Sequence, residues 1–142
     1  MPNWIVYGII AAVCFGVQTA LYKAAYQKSN FTPYYGSFVF ALGIVLIFGV
    51  FLLFKPDFSF ELKPNAILFI SGIIWGLGFL AIAVAIAQKA DVARLAPIYN
   101  TNTIITVLLG IIFLKEIPDA SQMFRVIAGA VLIVAGAVLV SV

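Results

Sequence analysis

The densest group of side chains able to do chemistry falls in one short run: Tyr99, Asn100, Thr101, Asn102, Thr103 and Thr106. Two carboxamides and several hydroxyls supply donors and acceptors without a fixed charge, a set suited to a neutral or zwitterionic polar molecule. On a helix of about 3.6 residues per turn, Tyr99, Asn102, Thr103, Thr106 and Gly110 share one stripe, with Asn100 beside Thr103. A weaker stripe runs through Tyr7, Ala11, Cys14, Gln18 and Tyr22, in which Gln18 is the one strongly polar member at depth. Trp75 stands in the middle of an apolar run, where an indole N–H needs an acceptor. Gln18, Trp75, Tyr99, Asn102, Thr103 and Thr106 are therefore the candidate substrate contacts. The same amides and hydroxyls could instead bond neighbouring helices to one another.

Covalent and acid–base chemistry lack their usual groups. The chain has no histidine, so no Ser-His or Cys-His pair and no imidazole base is available. The five acids, Asp57, Glu61, Asp91, Glu116 and Asp119, fall at the edges of apolar runs, and no paired carboxylates stand inside one. Cys14 is the one cysteine, inside an apolar run, and reads as a small hydrophobe. No phosphate-binding glycine loop or metal-ligand spacing occurs. The sequence predicts neither an enzyme nor a cofactor or metal site.

The elements that must position these residues follow from where the charges stand. Of 142 residues 65% are hydrophobic and 9% charged, with a mean hydropathy of +1.19, whereas ordinary soluble domains are about 25% charged. Disorder, a coiled coil and a nucleic-acid module are excluded by that balance, since the net charge of +3 is scattered rather than gathered in a patch. Five uncharged stretches remain between the charges: 1–22, 29–54, 64–88, 95–114 and 126–142. Each reaches the roughly 17–20 residues needed to cross about 30 Å of hydrocarbon as a helix. The runs are continuous rather than alternating, which favours helices over a membrane barrel.

The expected fold is an all-α integral membrane protein with five transmembrane helices near 4–22, 34–54, 66–87, 95–114 and 124–140, forming one domain over 1–142. Loops are expected at Lys28–Pro33, Lys55-Pro56-Asp57, Lys63-Pro64-Asn65 and Ile117-Pro118-Asp119, with Pro97 in the first turn of the fourth helix. The first helix has no preceding lysine or arginine and no clear cleavage site, so it reads as a retained span. Trp4, Tyr22, Tyr26, Tyr34 and Tyr35 read as belt residues at the membrane interface. Five spans put the termini on opposite sides. Lys55, Lys63, Lys115 and Arg125 then share the amino-terminal side, against Lys23, Lys28, Lys89 and Arg94 on the other. Four against four sets no orientation by the positive-inside rule, so either one helix or a partner decides, or the chain inserts both ways. Gly72 and Gly76, and Gly129 and Gly136 within alanines, mark packing faces.

The chain resembles the EamA repeat of the drug/metabolite transporter superfamily. The matching residues are Ala90-Asp91-Val92-Ala93-Arg94-Leu95-Ala96-Pro97, Phe113-Leu114-Lys115-Glu116, and the final helix with Gly129 and Gly136. The pattern commonly occurs twice in ten helices and here once. The balanced charge and the glycine spacing are also similar to the small multidrug transporters. Those have four helices and a first-helix carboxylate for proton coupling, where this chain has Cys14 and Gln18. The EamA pattern often has a glycine before its helix-ending glutamate. Here that position is Lys115, and Glu116 reads as a helix-end anchor. The resemblance implies a half-size transporter of a small polar or amphipathic metabolite in the plasma (inner) membrane. Inverted repeats bind substrate at their interface, so an antiparallel homodimer with alternating access is the expected assembly. A pairing with a different membrane chain and a non-transporting scaffold are the alternatives.

Overall fold

The computed structural model describes residues 3–55, 61–116 and 119–141. Pro56, Asp57, Ile117 and Pro118, expected in loops, lie outside the described residues. The helices are α1 (Asn3–Gln27), α2 (Pro33–Phe54), α3 (Leu62–Ala87), α4 (Val92–Tyr99), α5 (Asn102–Ile112) and α6 (Ala120–Ser141), and no strand occurs among the described residues. Five segments are long and apolar enough to cross a bilayer, with α4 and α5 together forming the fourth, Val92–Ile112. The fold is all-α with five membrane-spanning segments.

Large apolar side chains point outward along these segments. Leu53, Phe54 and Leu139 are 82%, 80% and 79% exposed. Water would not tolerate apolar surface on this scale, but hydrocarbon is its natural solvent. In hydrocarbon the helix is also the form that satisfies every backbone group within its own segment.

Residues form two compact units, Met1–Lys89 and Ala90–Val142. In the first, α3 packs on both α1 and α2. Its buried positions are Thr19 and Tyr22 on α1 and Ala83 and Ile86 on α3. In the second, α6 packs on both α4 and α5, burying Ala130 and Ala137. These alanines, seven apart, occupy the packed face. Gly129 and Gly136 have open space where a side chain would stand, as do Gly72 and Gly76.

The helix starts differ from the expected loops in an instructive way. Pro33 is at the start of α2, behind an N-cap Thr32 whose side chain accepts from the Tyr35 amide at 3.3 Å. Pro64 lies in the first turn of α3 rather than in a loop. Both prolines occupy positions whose amides have no partner inside the helix, so their missing N–H costs nothing. Pro97 is different. α4 begins at Val92, three residues before the expected start, which makes Pro97 an interior residue. Its ring cannot donate to the Ala93 carbonyl one turn back.

Helix ends are set by two left-handed residues. Lys89 has φ 68° just beyond α3, and Lys115 has φ 56° beyond α5. The Lys89 amide bonds the Ile86 carbonyl at 3.0 Å, and the reversed backbone at Lys115 lets the Glu116 amide that follows bond the Gly110 carbonyl at 3.1 Å. Such turns satisfy carbonyls that a helix end would otherwise leave bare. Glu116 thereby folds back over Gly110, where an added Cβ would lie 3.3 Å from Glu116 Oε2.

Candidate substrate site

The polar run singled out by its composition does not sit on one continuous helix. The fourth span breaks at Asn100 and Thr101. Both keep a right-handed backbone, with φ −69° and ψ −8° at Asn100 and φ −63° and ψ −12° at Thr101. The hydrogen bonds tighten there to three-residue steps: Thr101 to Ile98 at 3.2 Å, Thr103 to Asn100 at 3.2 Å, and Ile104 to Thr101 at 3.1 Å. Two hydroxyls reinforce the tightening. Thr101 Oγ1 donates to the Ile98 carbonyl at 2.7 Å and Thr103 Oγ1 to the Asn100 carbonyl at 2.9 Å. Threonine hydroxyls compete in this way with the regular helix ladder, and Pro97 has already removed one rung three residues earlier.

The break assigns Tyr99 to α4 and Asn102, Thr103 and Thr106 to α5. Tyr99 and Thr103 are half-buried, while Asn102 and Thr106 are exposed. Thr106 and Gly110 line a cavity of about 600 Å³ with Ile111, Lys115, Glu116 and Val126. Asn102 and Thr103 stand one turn before it. The cavity lining thus combines one cation, one carboxylate and one hydroxyl with aliphatic side chains.

Gln18 and Trp75 belong to the first unit, and here the structure adds residues that composition did not single out. Phe40, Trp75 and Phe79 stack as a ladder. Ring centroids are 4.3 Å apart for Phe40 and Phe79 and 5.4 Å for Trp75 and Phe79, with interplanar angles of 16° and 10°. Trp75 and Phe79 are one helical turn apart on α3, which aims both rings the same way. Tyr22 meets Phe79 edge-on at 5.1 Å and Phe40 edge-on at 5.8 Å. Offset and edge-to-face pairs of this kind are the favoured aromatic geometries.

Tyr22 is 8% exposed, so it is a packed residue rather than an interface-belt aromatic. Its hydroxyl lies 3.2 Å from that of Tyr26 and 3.3 Å from Ser37 Oγ, and Tyr26 donates on to the Thr32 carbonyl at 3.1 Å. Tyr26 can reach α2 because residue 36 is glycine. A Cβ there would come inside 3.0 Å of the Tyr26 ring and hydroxyl. Trp75 is 51% exposed. Its indole N–H meets no acceptor among the described residues, against the expectation for a mid-span tryptophan, while its ring stacks with Phe79 and Phe40.

Gln18, Tyr22, Tyr26, Phe31, Tyr35 and Phe40 stand around a second cavity, of about 440 Å³. The Gln18 amide nitrogen is shielded from solvent and has no hydrogen-bond partner. Its oxygen has one distant neighbour, Thr19 Oγ1 at 3.4 Å, and that hydroxyl is better placed on the Phe15 carbonyl at 2.9 Å. No cluster of three metal-ligating side chains occurs among the described residues.

Five segments long and apolar enough to span a bilayer, one of them interrupted at polar residues, define an all-α membrane protein. The chain belongs to the EamA-like transporter family, which matches residues 2–142. It is thus a multi-pass integral membrane protein of a transporter family. An uncharacterized protein of Methanocaldococcus jannaschii is 30% identical over 142 residues, covering all of this chain and 98% of that one. Streptococcus pyogenes proteins of serotypes M1 and M3, provisionally named as sugar uptake proteins, are 30% identical over 102 residues. That match covers 72% of this chain and 34% of theirs, so the chain spans only about a third of their length. No solved structure matches the chain.

Proposed function

We propose that the protein is a half-size secondary transporter of a small, uncharged or zwitterionic, polar or amphipathic metabolite. Two copies inserted in opposite orientations form the working unit, and rocking of one against the other gives alternating access. The observation that carries this reading is the interruption of the fourth span at Asn100 and Thr101 in a chain of a transporter family. Transporters of several folds place substrate beside discontinuous helices near the midplane, at the interface of inverted repeats. The four-against-four charge balance fits insertion both ways. Gly72, Gly76, Gly129 and Gly136, open in the single chain, would admit another helix closely. The names of the streptococcal relatives support an uncharged small solute as cargo. The substrate path is assigned to Gln18, Trp75, Tyr99, Asn102, Thr103 and Thr106, and the plasma (inner) membrane is the compartment boundary served.

Proteoliposome uptake across a panel of labelled sugars and amino acids tests the reading. For the transported solute, Asn102→Leu with Thr106→Val should cut uptake at least about tenfold, the worth of about 1.4 kcal/mol of lost polar contact. Unchanged uptake by a folded double variant removes these residues from the path. Orientation is read separately, in a Cys14→Ala background carrying Asn30→Cys. An impermeant thiol reagent should reach about half the copies in intact cells and all of them after lysis. Labelling of all or none in intact cells overturns the antiparallel homodimer and points to a different membrane partner.

A further inference from the structure

We infer that the cavity between α1 and the start of α2 is a binding site for an uncharged, flat-ringed amphipathic molecule carrying one hydrogen-bond acceptor. This deepens the transport reading by naming a substrate class, and it rests on that reading only for the claim that the ligand is carried across the membrane. Three observations converge on the class. The walls are aromatic: Tyr22, Tyr26, Phe31, Tyr35 and Phe40 supply ring faces and edges. Phe40 is braced from behind by its stack on Phe79 and Trp75. Rings held at fixed angles give a flat ligand large contact area with little loss of side-chain freedom. At about 440 Å³ the cavity is within the range of small-molecule sites, about 300–1,000 Å³.

The second observation is what the walls lack. None of the lining residues carries a formal charge, so an ionic ligand would lose its hydration without a counter-charge, a cost of several kcal/mol or more. A free sugar presents polar groups all round and would find few partners. The Tyr22 and Tyr26 hydroxyls are already committed to each other, to Ser37 and to the Thr32 carbonyl.

The third observation is Gln18. Its Nε2 is buried and without a partner. Turning the amide over would only exchange the problem, leaving the oxygen in the same dry position. A buried donor left unmet costs about 1–3 kcal/mol, and a carbonyl or ring nitrogen on the ligand would relieve it after a small side-chain rotation. Gln18 lies nine residues before the end of α1, about 14 Å in from that end. The acceptor would therefore be held at the inner end of the cavity, with the ring packed against the aromatic walls.

The test uses the full chain in detergent micelles, with calorimetric titration and thermal denaturation as readouts. The probes are benzamide, which has a ring and a carbonyl, benzylamine, which has a ring and a cation, and glucose. Benzamide should bind saturably and raise the melting temperature, with benzylamine and glucose at least about tenfold weaker. Gln18→Leu should weaken benzamide about tenfold, and Gly36→Ala, which drives Tyr26 from its place over α2, should reduce binding further. Equal binding of glucose or benzylamine overturns the class, as does a folded Gln18→Leu protein with wild-type affinity. Should neither variant fold, the ranking of the three probes on the wild-type chain still decides. Benzamide binding without uptake of any solute would leave the site standing and overturn transport. Uptake of a polar solute with no benzamide binding would do the reverse.

Discussion

Replacing Lys115 with glycine should make the protein more stable, although the change removes a side chain and adds none. Lys115 sits at φ 56°, a conformation that places the Cβ of an L-residue against the following carbonyl at a cost of about 1–2 kcal/mol. Glycine has no Cβ and escapes that cost, but its looser unfolded chain gives back about 0.4–1 kcal/mol. The difference is a net gain centred on about 0.8 kcal/mol (range about 0–1.6), or a rise of a few degrees in melting temperature for a chain of this size. Lys115 is exposed, so loss of its charge adds little. Lys115→Ala controls for that loss, because alanine keeps the Cβ and with it the strain. The measurement is thermal unfolding of the three proteins side by side in one detergent. If glycine is no more stable than alanine, the strain assigned to this turn is not there.

Two further expectations concern the packed rings and the broken span. Tyr22→Phe keeps the stacking on Phe79 and Phe40 but deletes the hydroxyl contacts to Tyr26 and Ser37, so unfolding should become easier by about 1–2 kcal/mol; an unchanged melting temperature would show those contacts to be idle. Pro97→Ala returns an amide opposite the Ala93 carbonyl and should raise thermal stability. If the interruption at Asn100 and Thr101 serves transport, the same variant should lose uptake, and full uptake by the stabilised protein would separate the break from function.

The spans were legible because thirteen charges punctuate an otherwise apolar chain. In hydrocarbon, composition and length alone decide which segments can cross. The break in the fourth span was not legible, although its cause was visible. The helix starts at Val92, with Asp91 at its N-cap position but without a side-chain capping bond, and this early start turns Pro97 from a harmless first-turn residue into an interior one. A three-residue shift in a helix start is within what local signals resolve poorly, and here it changes the consequence of a proline. Tyr22 was hidden for another reason. A tyrosine beside Lys23 near the end of a span looks the same whether it faces the interface or its neighbours, and only Phe40 and Phe79, from two other helices, decide between them. Gln18 stood out from the start because a carboxamide in an apolar helix is costly wherever it faces. Tyr22 and Tyr26 follow it at one-turn spacing along α1, but Phe31, Tyr35 and Phe40 come from beyond that helix and left no periodic trace beside it.

The way the span hydroxyls are satisfied bears on how these helices could shift. Ser71, Thr101 and Thr103 each donate to a carbonyl three residues back on their own chain. Such a group asks nothing of the helix beside it. Faces bearing these residues can slip, rotate or trade a protein neighbour for a lipid tail with no hydrogen bond to break. These three hydroxyls therefore add only dispersion, which changes gradually with distance, to the contact between helices. A directional bond such as the Tyr22–Ser37 link between α1 and α2 would instead hold two helices in register until it gives way. Directional constraint between α1 and α2 is thus concentrated in that link, while Ser71, Thr101 and Thr103 leave their neighbours unconstrained.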